Sequence, residues 1–258
     1  MAAAVEQSAL RKGFFADART KSHLICPLVL LLVFLALWLP RLTGPINFRW
    51  DASCYYVLGT ALAEGKGYRL LNEPGEIQAV QYPPLLPMFV AALQRTMGTQ
   101  DFFKLGCALR LAYLIFSALF LWMSYTLARR MFSPGQSLMV GTITALSFNS
   151  FIGPSDVLYA DMLFALVAMA FLVARQKSDR PLLAVASGVL AIAAYLLRTA
   201  GIALILAWIA ESVLRRRFRQ AALRAAVSAL PVLLWQGYVW KVTHGDEYQH
   251  PAYSYQRA

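Results

Sequence analysis

Three charged residues lie at positions where an apolar chain has to account for them. Asp51 follows Arg49 and Trp50 and opens a helical pattern that carries Tyr55, Leu58 and Leu62 on one side. An aspartate there either caps the helix or stands free for chemistry, as a base that takes a proton from a hydroxyl. Asp161 lies in the run Leu158-Tyr159-Ala160-Asp161-Met162-Leu163-Phe164. If that helix begins at Val157, the carboxylate lies more than a turn inside an apolar span. Such a position costs ~2.5–3.5 kcal/mol at a helix centre, less near the surface, and marks a functional candidate. Asp156, after Pro154 and Ser155, reads as an ordinary cap. Arg198 interrupts the apolar stretch 182–214 with no acidic residue near it in sequence. It either snorkels to lipid phosphate or is held for a phosphate-bearing substrate, whose geometry its planar donor fork matches.

Other chemistry is poorly supported. Glu211 precedes Arg215 by four residues, the spacing of an ion pair at a helix end. His244 and His250 flank Asp246 and Glu247 without metal-ligand spacing, and Cys26, Cys54 and Cys107 form neither a disulfide framework nor a metal knuckle. Cys54 reads as an inert loop thiol. Neither phosphate-cradling glycine loop is present, so nucleotide chemistry has no basis. No metal and no cofactor are expected.

The elements that position these residues follow from composition. Of 258 residues, 59% are hydrophobic and 14% charged, against roughly a quarter charged in soluble domains. A soluble globular enzyme and a disordered basic tail are both excluded. The net charge of +11 would suggest nucleic acid in a soluble chain. In a membrane chain it orients loops instead, and nucleic acid is not an expected partner.

Apolar runs over 24–39, 105–127, 137–152, 157–174, 182–197, 202–214 and 221–240 predict an all-α polytopic protein of about seven spans. Residues 1–23 then form a cytoplasmic N-terminal segment, 24–240 the transmembrane domain and 241–258 an outer tail. Charge decides the ambiguous crossings. Arg175, Lys177 and Arg180 precede the stretch 182–214, and Arg215, Arg216, Arg217 and Arg219 follow it, so the chain must cross twice between two cytoplasmic clusters. A hairpin over 137–174, turning at Gly153-Pro154-Ser155, satisfies the same rule. The resulting inner face carries 14 basic and four acidic residues. The loop 41–104 lies on the outer face. It contains two amphipathic helices, one from Asp51 to the Gly65-Lys66-Gly67 stop and one from Pro84 to Gly98, joined through Asn72-Glu73-Pro74-Gly75 and expected to lie along the membrane surface.

In order along the chain, Arg49-Trp50-Asp51-Ala52-Ser53-Cys54-Tyr55-Tyr56, Gly65-Lys66-Gly67-Tyr68 and Tyr82-Pro83-Pro84-Leu85 resemble the first outer loop of GT-C fold glycosyltransferases. The closest resemblance is to the branch of protein O-mannosyltransferases, aminoarabinose transferases and lipopolysaccharide galacturonosyltransferases. The Asp161 segment resembles that branch's second acidic motif, and Tyr195-Leu196-Leu197-Arg198-Thr199-Ala200-Gly201 its outer arginine motif. The resemblance spans roughly residues 24–240. It departs at Ala52, where many members carry a second acidic residue, and at Tyr82, where a lysine is common. Members are usually about twice as long, which implies that 241–258 begins a missing C-terminal region.

The resemblance implies a transferase that moves a sugar from a polyprenyl-phosphate carrier to a hydroxyl of a lipid, glycan or protein, by inverting displacement and without metal. It implies Asp51 as base and Asp161 as the second catalytic carboxylate, with Arg198, Arg49, Tyr55, Lys66, Tyr82 and Asp156 binding substrate. The implied location is a bacterial plasma (inner) membrane, among membrane lipids, with the N-terminus cytoplasmic and the active loop periplasmic. A membrane transporter and a non-catalytic membrane partner or remnant are the alternatives.

Overall fold

The computed structural model describes residues 24–176 and 181–246. The expected cytoplasmic segment 1–23, Lys177, Arg180 and most of the outer tail, with His250, lie outside the described residues. Helix α1 covers residues 24–38 and tightens into a 3-10 turn at Leu39–Thr43. It is followed by α2 (Asp51–Ala63), α3 (Leu85–Met97), α4 (Phe102–Met131) and α5 (Pro134–Leu146). After a π-turn come α6 (Gly153–Asp156), α7 (Ala160–Gln176), α8 (Pro181–Leu197), α9 (Ile202–Leu214) and α10 (Phe218–Thr243). The described residues contain isolated β-bridges but no strand.

Among the described residues, three helical segments are long and apolar enough to cross a membrane: Leu24–Thr43, Phe102–Met131 and Phe218–Thr243. The protein therefore has the architecture of an all-α membrane protein. The expected count of seven spans exceeds this. Helices α5 and α9 have 13 residues and α7 and α8 have 17. At 1.5 Å per residue these reach ~20–26 Å, short of a ~30 Å hydrocarbon core. Local chemistry sets the breaks. The run 137–152 stops at Ser147, whose side chain accepts from Ser150 N at the start of the π-turn Phe148–Ile152. The expected turn at 153–155 is the short helix α6, and 157–159 is not helical.

The outer-loop helices start and stop close to their sequence signals. Gly98 ends α3 in the left-handed conformation, and Gly65, at φ 75°, follows α2. Their setting differs from a pair of helices lying on a membrane. Helices α2 and α3 pack on each other, and α3 also meets α4 and α8. Leu58, Leu86 and Val90 are fully buried, and a Cβ on Gly59 would stand 2.5 Å from Val90 Cγ1. Their apolar sides thus face protein.

Short strips of backbone stitch this cap to the bundle. Asn47 forms a parallel bridge with Val157, through Asn47 N to Asp156 O (3.1 Å) and Leu158 N to Asn47 O (3.0 Å). A small hairpin pairs Arg69 with Gln78 around the turn at 72–75. Helix α10 holds that hairpin, because Tyr238 Oη donates to Ala79 O at 3.0 Å. At the other end of the bundle, Glu211 joins three helices. It accepts from Arg215 (3.2 Å), just past the end of α9, as the spacing predicts, and also from Arg175 of α7 and Arg224 of α10 (3.1 Å).

Candidate functional site

Asp51 is not a cap. The N-cap of α2 is Trp50, and Asp51 occupies the first helical position with its carboxylate exposed. Trp50 has φ 55° and ψ −130°, a conformation that favours glycine and costs on the order of 1–3 kcal/mol in other residues. Its carbonyl accepts from Ser53 Oγ at 2.7 Å, which secures the first turn. The kink lets an extended segment, tied to Val157, turn abruptly into α2.

Asp161 also differs from expectation. Helix α7 begins at Ala160 because Val157 bridges Asn47, Leu158 N donates to Asn47 O and Tyr159 N turns back to Val157 O. Asp161 is therefore in the first turn, where the free amide groups of the helix end favour a carboxylate, rather than a turn deep in an apolar span. Its side chain is 45% exposed and pairs with Arg198, also 45% exposed.

Arg198 is extended between α8 and the 3-10 turn Thr199–Gly201. Arg198 N donates to Ala194 O at 2.9 Å, and Gly201 N donates to Arg198 O at 2.8 Å. A Cβ on Gly201 would fall 2.3 Å from the backbone of Ala194 and Tyr195, so glycine alone permits this close turn. Hence an arginine without an acidic neighbour in sequence acquires one in space.

These pieces meet. A cavity of about 360 Å³ is lined by Asp51 and Tyr55 of α2, Tyr82 before α3, Tyr159 and Asp161 at the start of α7, and Arg198 after α8. Gln81 and Thr199 complete its polar wall. The Tyr55 and Tyr82 rings stand edge to face, 4.8 Å apart. Tyr68 Oη donates to Tyr82 O at 2.7 Å and fixes the loop that carries it. Burial first, then the Asp51 carboxylate, pushes the Tyr55 hydroxyl up to about 12. Burial, the Cys54 thiol and Asp51 likewise hold the Tyr82 hydroxyl protonated well above its ordinary range. Two phenols that stay neutral, the Asp51 carboxylate and a guanidinium held by a second carboxylate thus line one cavity. The arrangement can bind a polar group with an anionic part and remove a proton from a hydroxyl.

No protein-family model, curated protein or solved structure matches the chain.

Three of the expected substrate contacts lie elsewhere. Lys66 pairs with Glu64 (3.2 Å) and Glu76 (3.4 Å) beyond the far end of α2. Asp156 pairs with Arg110 of α4, and Arg49 lines a different cavity with them. Arg110 itself went unremarked in the sequence, although a basic residue inside an apolar helix is a signal on its own. Tyr159, Gln81 and Thr199 carry no such signal and become visible only through the cavity. Among the described residues, no cluster of His, Cys, Asp and Glu could hold a metal ion.

Proposed function

We propose that the chain is a membrane glycosyltransferase that moves a sugar from a polyprenyl-phosphate carrier to an acceptor hydroxyl. One observation carries this reading: Asp51, Tyr82 and the Asp161–Arg198 pair line a single cavity, although they come from separate parts of the chain. Asp51 accepts the proton as the acceptor oxygen bonds to the anomeric carbon, and the bond from that carbon to the phosphate oxygen breaks on the opposite face. The departing phosphate gains charge, which Arg198 stabilises from a position already set by Asp161. Tyr55 and Tyr82 are protonated donors that flank Asp51 and offer hydroxyls to the sugar.

The proposal includes a topology in which the shorter helices also cross, with the N-terminus in the cytoplasm of a bacterial cell and the Asp51 cavity on the periplasmic side. The carrier's isoprenoid then stays in the bilayer while its sugar enters the cavity.

The test is transfer of radiolabelled sugar from polyprenyl-phosphate donors by the purified full chain in liposomes. Asp51→Asn is expected to lower turnover by at least about 100-fold, the lower range for a general base, while the protein inserts and unfolds like wild type. Wild-type transfer by Asp51→Asn would overturn the assignment. The break between α8 and α9 at Arg198 also suits a transporter, whose sites form at interrupted helices. Accumulation of a solute in sealed vesicles without any polyprenyl sugar would favour that reading.

A further inference from the structure

The first turn of α2 separates two cavities. Asp51 and Tyr55 face the one described above, while Arg49, Ser53 and Tyr56 line a second of about 630 Å³. Its other charged residues are Arg110 and Asp156, and Pro45, Ile46 and Phe102 supply apolar wall. Two guanidiniums therefore face one carboxylate.

Neither arginine is saturated. The Arg110 side chain is 9% exposed; it pairs with Asp156 through Nη1 and donates to Pro45 O at 2.5 Å through Nη2. Its Nε is buried with no partner. A buried donor left unpaired is costly, and the guanidinium is held by two of its three nitrogens only. Arg49 is exposed, and its guanidinium makes no hydrogen bond or ion pair with the described residues; its backbone N donates to Asn47 Oδ1 at 2.9 Å and its carbonyl accepts from Ala52 N at 3.2 Å. Asp51, two residues from Arg49, lines the other cavity, and Asp101, nine residues before Arg110, is engaged in capping α4 by accepting from Lys104 N at 2.7 Å.

We propose that this second cavity binds a phosphate-headed amphiphile, its head between Arg49 and Arg110 and the start of its chain against Ile46 and Phe102. Charge selects the head, because the cavity holds one uncompensated positive charge and arginine's fork matches phosphate oxygens. The apolar wall selects a chain in place of free phosphate. The site is distinct from the Asp51 cavity and does not depend on the reaction proposed there.

The experiment is calorimetric titration of the purified full chain, in a neutral maltoside detergent, with dodecyl phosphate below its micellar concentration. Wild type is expected to bind it saturably, at least about tenfold more tightly than inorganic phosphate, a ratio equal to ~1.4 kcal/mol. Arg49→Gln, which breaks no contact that the fold uses, is expected to weaken dodecyl phosphate by at least about tenfold. Arg198→Gln, which removes the guanidinium of the Asp51 cavity, is expected to leave this binding in place. Equal binding by Arg49→Gln and wild type, or no saturable binding, overturns the proposal. Loss of binding in Arg198→Gln with retention in Arg49→Gln also overturns it, by placing the ligand in the other cavity. Inorganic phosphate binding as tightly as dodecyl phosphate overturns the role of the chain.

Discussion

At the scale of single residues, the candidate site depends on protonation states that its neighbours impose. Tyr55 is buried, only 7% exposed, beside the Asp51 side chain, so burial first and then that neighbour disfavour its phenolate form. An unfolded tyrosine ionises near pH 10. In the folded protein the same hydroxyl ionises at about 12, so between those values the folded state keeps a proton that the unfolded chain has released. The stabilisation is complete below about pH 10 and is lost as pH rises through 12. Thermal or denaturant unfolding of wild type and Tyr55→Phe, compared at about pH 9 and pH 11, is therefore expected to show an extra alkaline loss of ~1 kcal/mol in wild type alone. Parallel pH dependence in the two proteins would mean that Tyr55 is not held neutral. The Asp161–Arg198 pair belongs to a different class. Both partners are nearly half exposed, where an ion pair contributes ~0–1 kcal/mol, so its value lies in where it points the guanidinium rather than in stability.

At the scale of elements, the site consists of helix ends. Asp51 begins α2, Asp161 begins α7, and Arg198 follows α8, so each position depends on where a helix is allowed to start or stop. The turn after α8 is the most demanding of these, because Gly201 touches the backbone of Ala194 and Tyr195 with no room for a methyl group. Gly201→Ala is expected to push this turn away from α8 and take Arg198 with it. Sugar transfer or donor binding should fall by at least about tenfold, with a stability loss of ~1–3 kcal/mol from overpacking. Unchanged function in a stable Gly201→Ala protein would show that the turn does not set the arginine's position. The same logic explains why α7 is shorter than its apolar run. Residues 157–159 are taken by the bridge to Asn47, which ties the start of the outer loop to the start of α7.

At the scale of the whole molecule, opposite ends of the same helices do different work. Helix α7 carries Asp161 at its start and Arg175 at its end, and α9 follows Arg198 and carries Glu211 near its close. The candidate cavity is therefore at one end of the bundle, and the Glu211 knot of arginines is at the other, ~20–26 Å away by helix length. The basic end is expected to face the cytoplasm. Single-cysteine labelling with a membrane-impermeant maleimide tests this, on a background in which Cys26, Cys54 and Cys107 are replaced. A cysteine at Thr199 is expected to react in intact cells, and one at Arg216 only after the cells are opened. The reverse pattern would invert the proposed topology and place the cavity in the cytoplasm.

Much of this was decided by local patterns. Composition alone excludes a soluble enzyme, and the apolar runs locate every long helix, because an apolar helical segment announces itself in a continuous window of residues. The glycines after α2 and α3 mark their ends, since φ angles of 61–75° favour glycine there. Asp51, Asp161 and Arg198 also stand out, because a charge among apolar residues is conspicuous wherever the chain later goes. Partners were not legible in the same way. Arg198 finds Asp161 across separate helices, and Arg110 finds Asp156 in the lining of a second cavity. Lys66 turns away to Glu64 and Glu76. The start of α7 was not legible for the same reason, since a bridge between Asn47 and Val157 joins residues far apart in sequence. Apolarity and charge are properties of a residue and its immediate neighbours, and the sequence determined them. Which charge answers which, and where a helix must stop, depend on contacts between distant segments, and only the tertiary structure decided those.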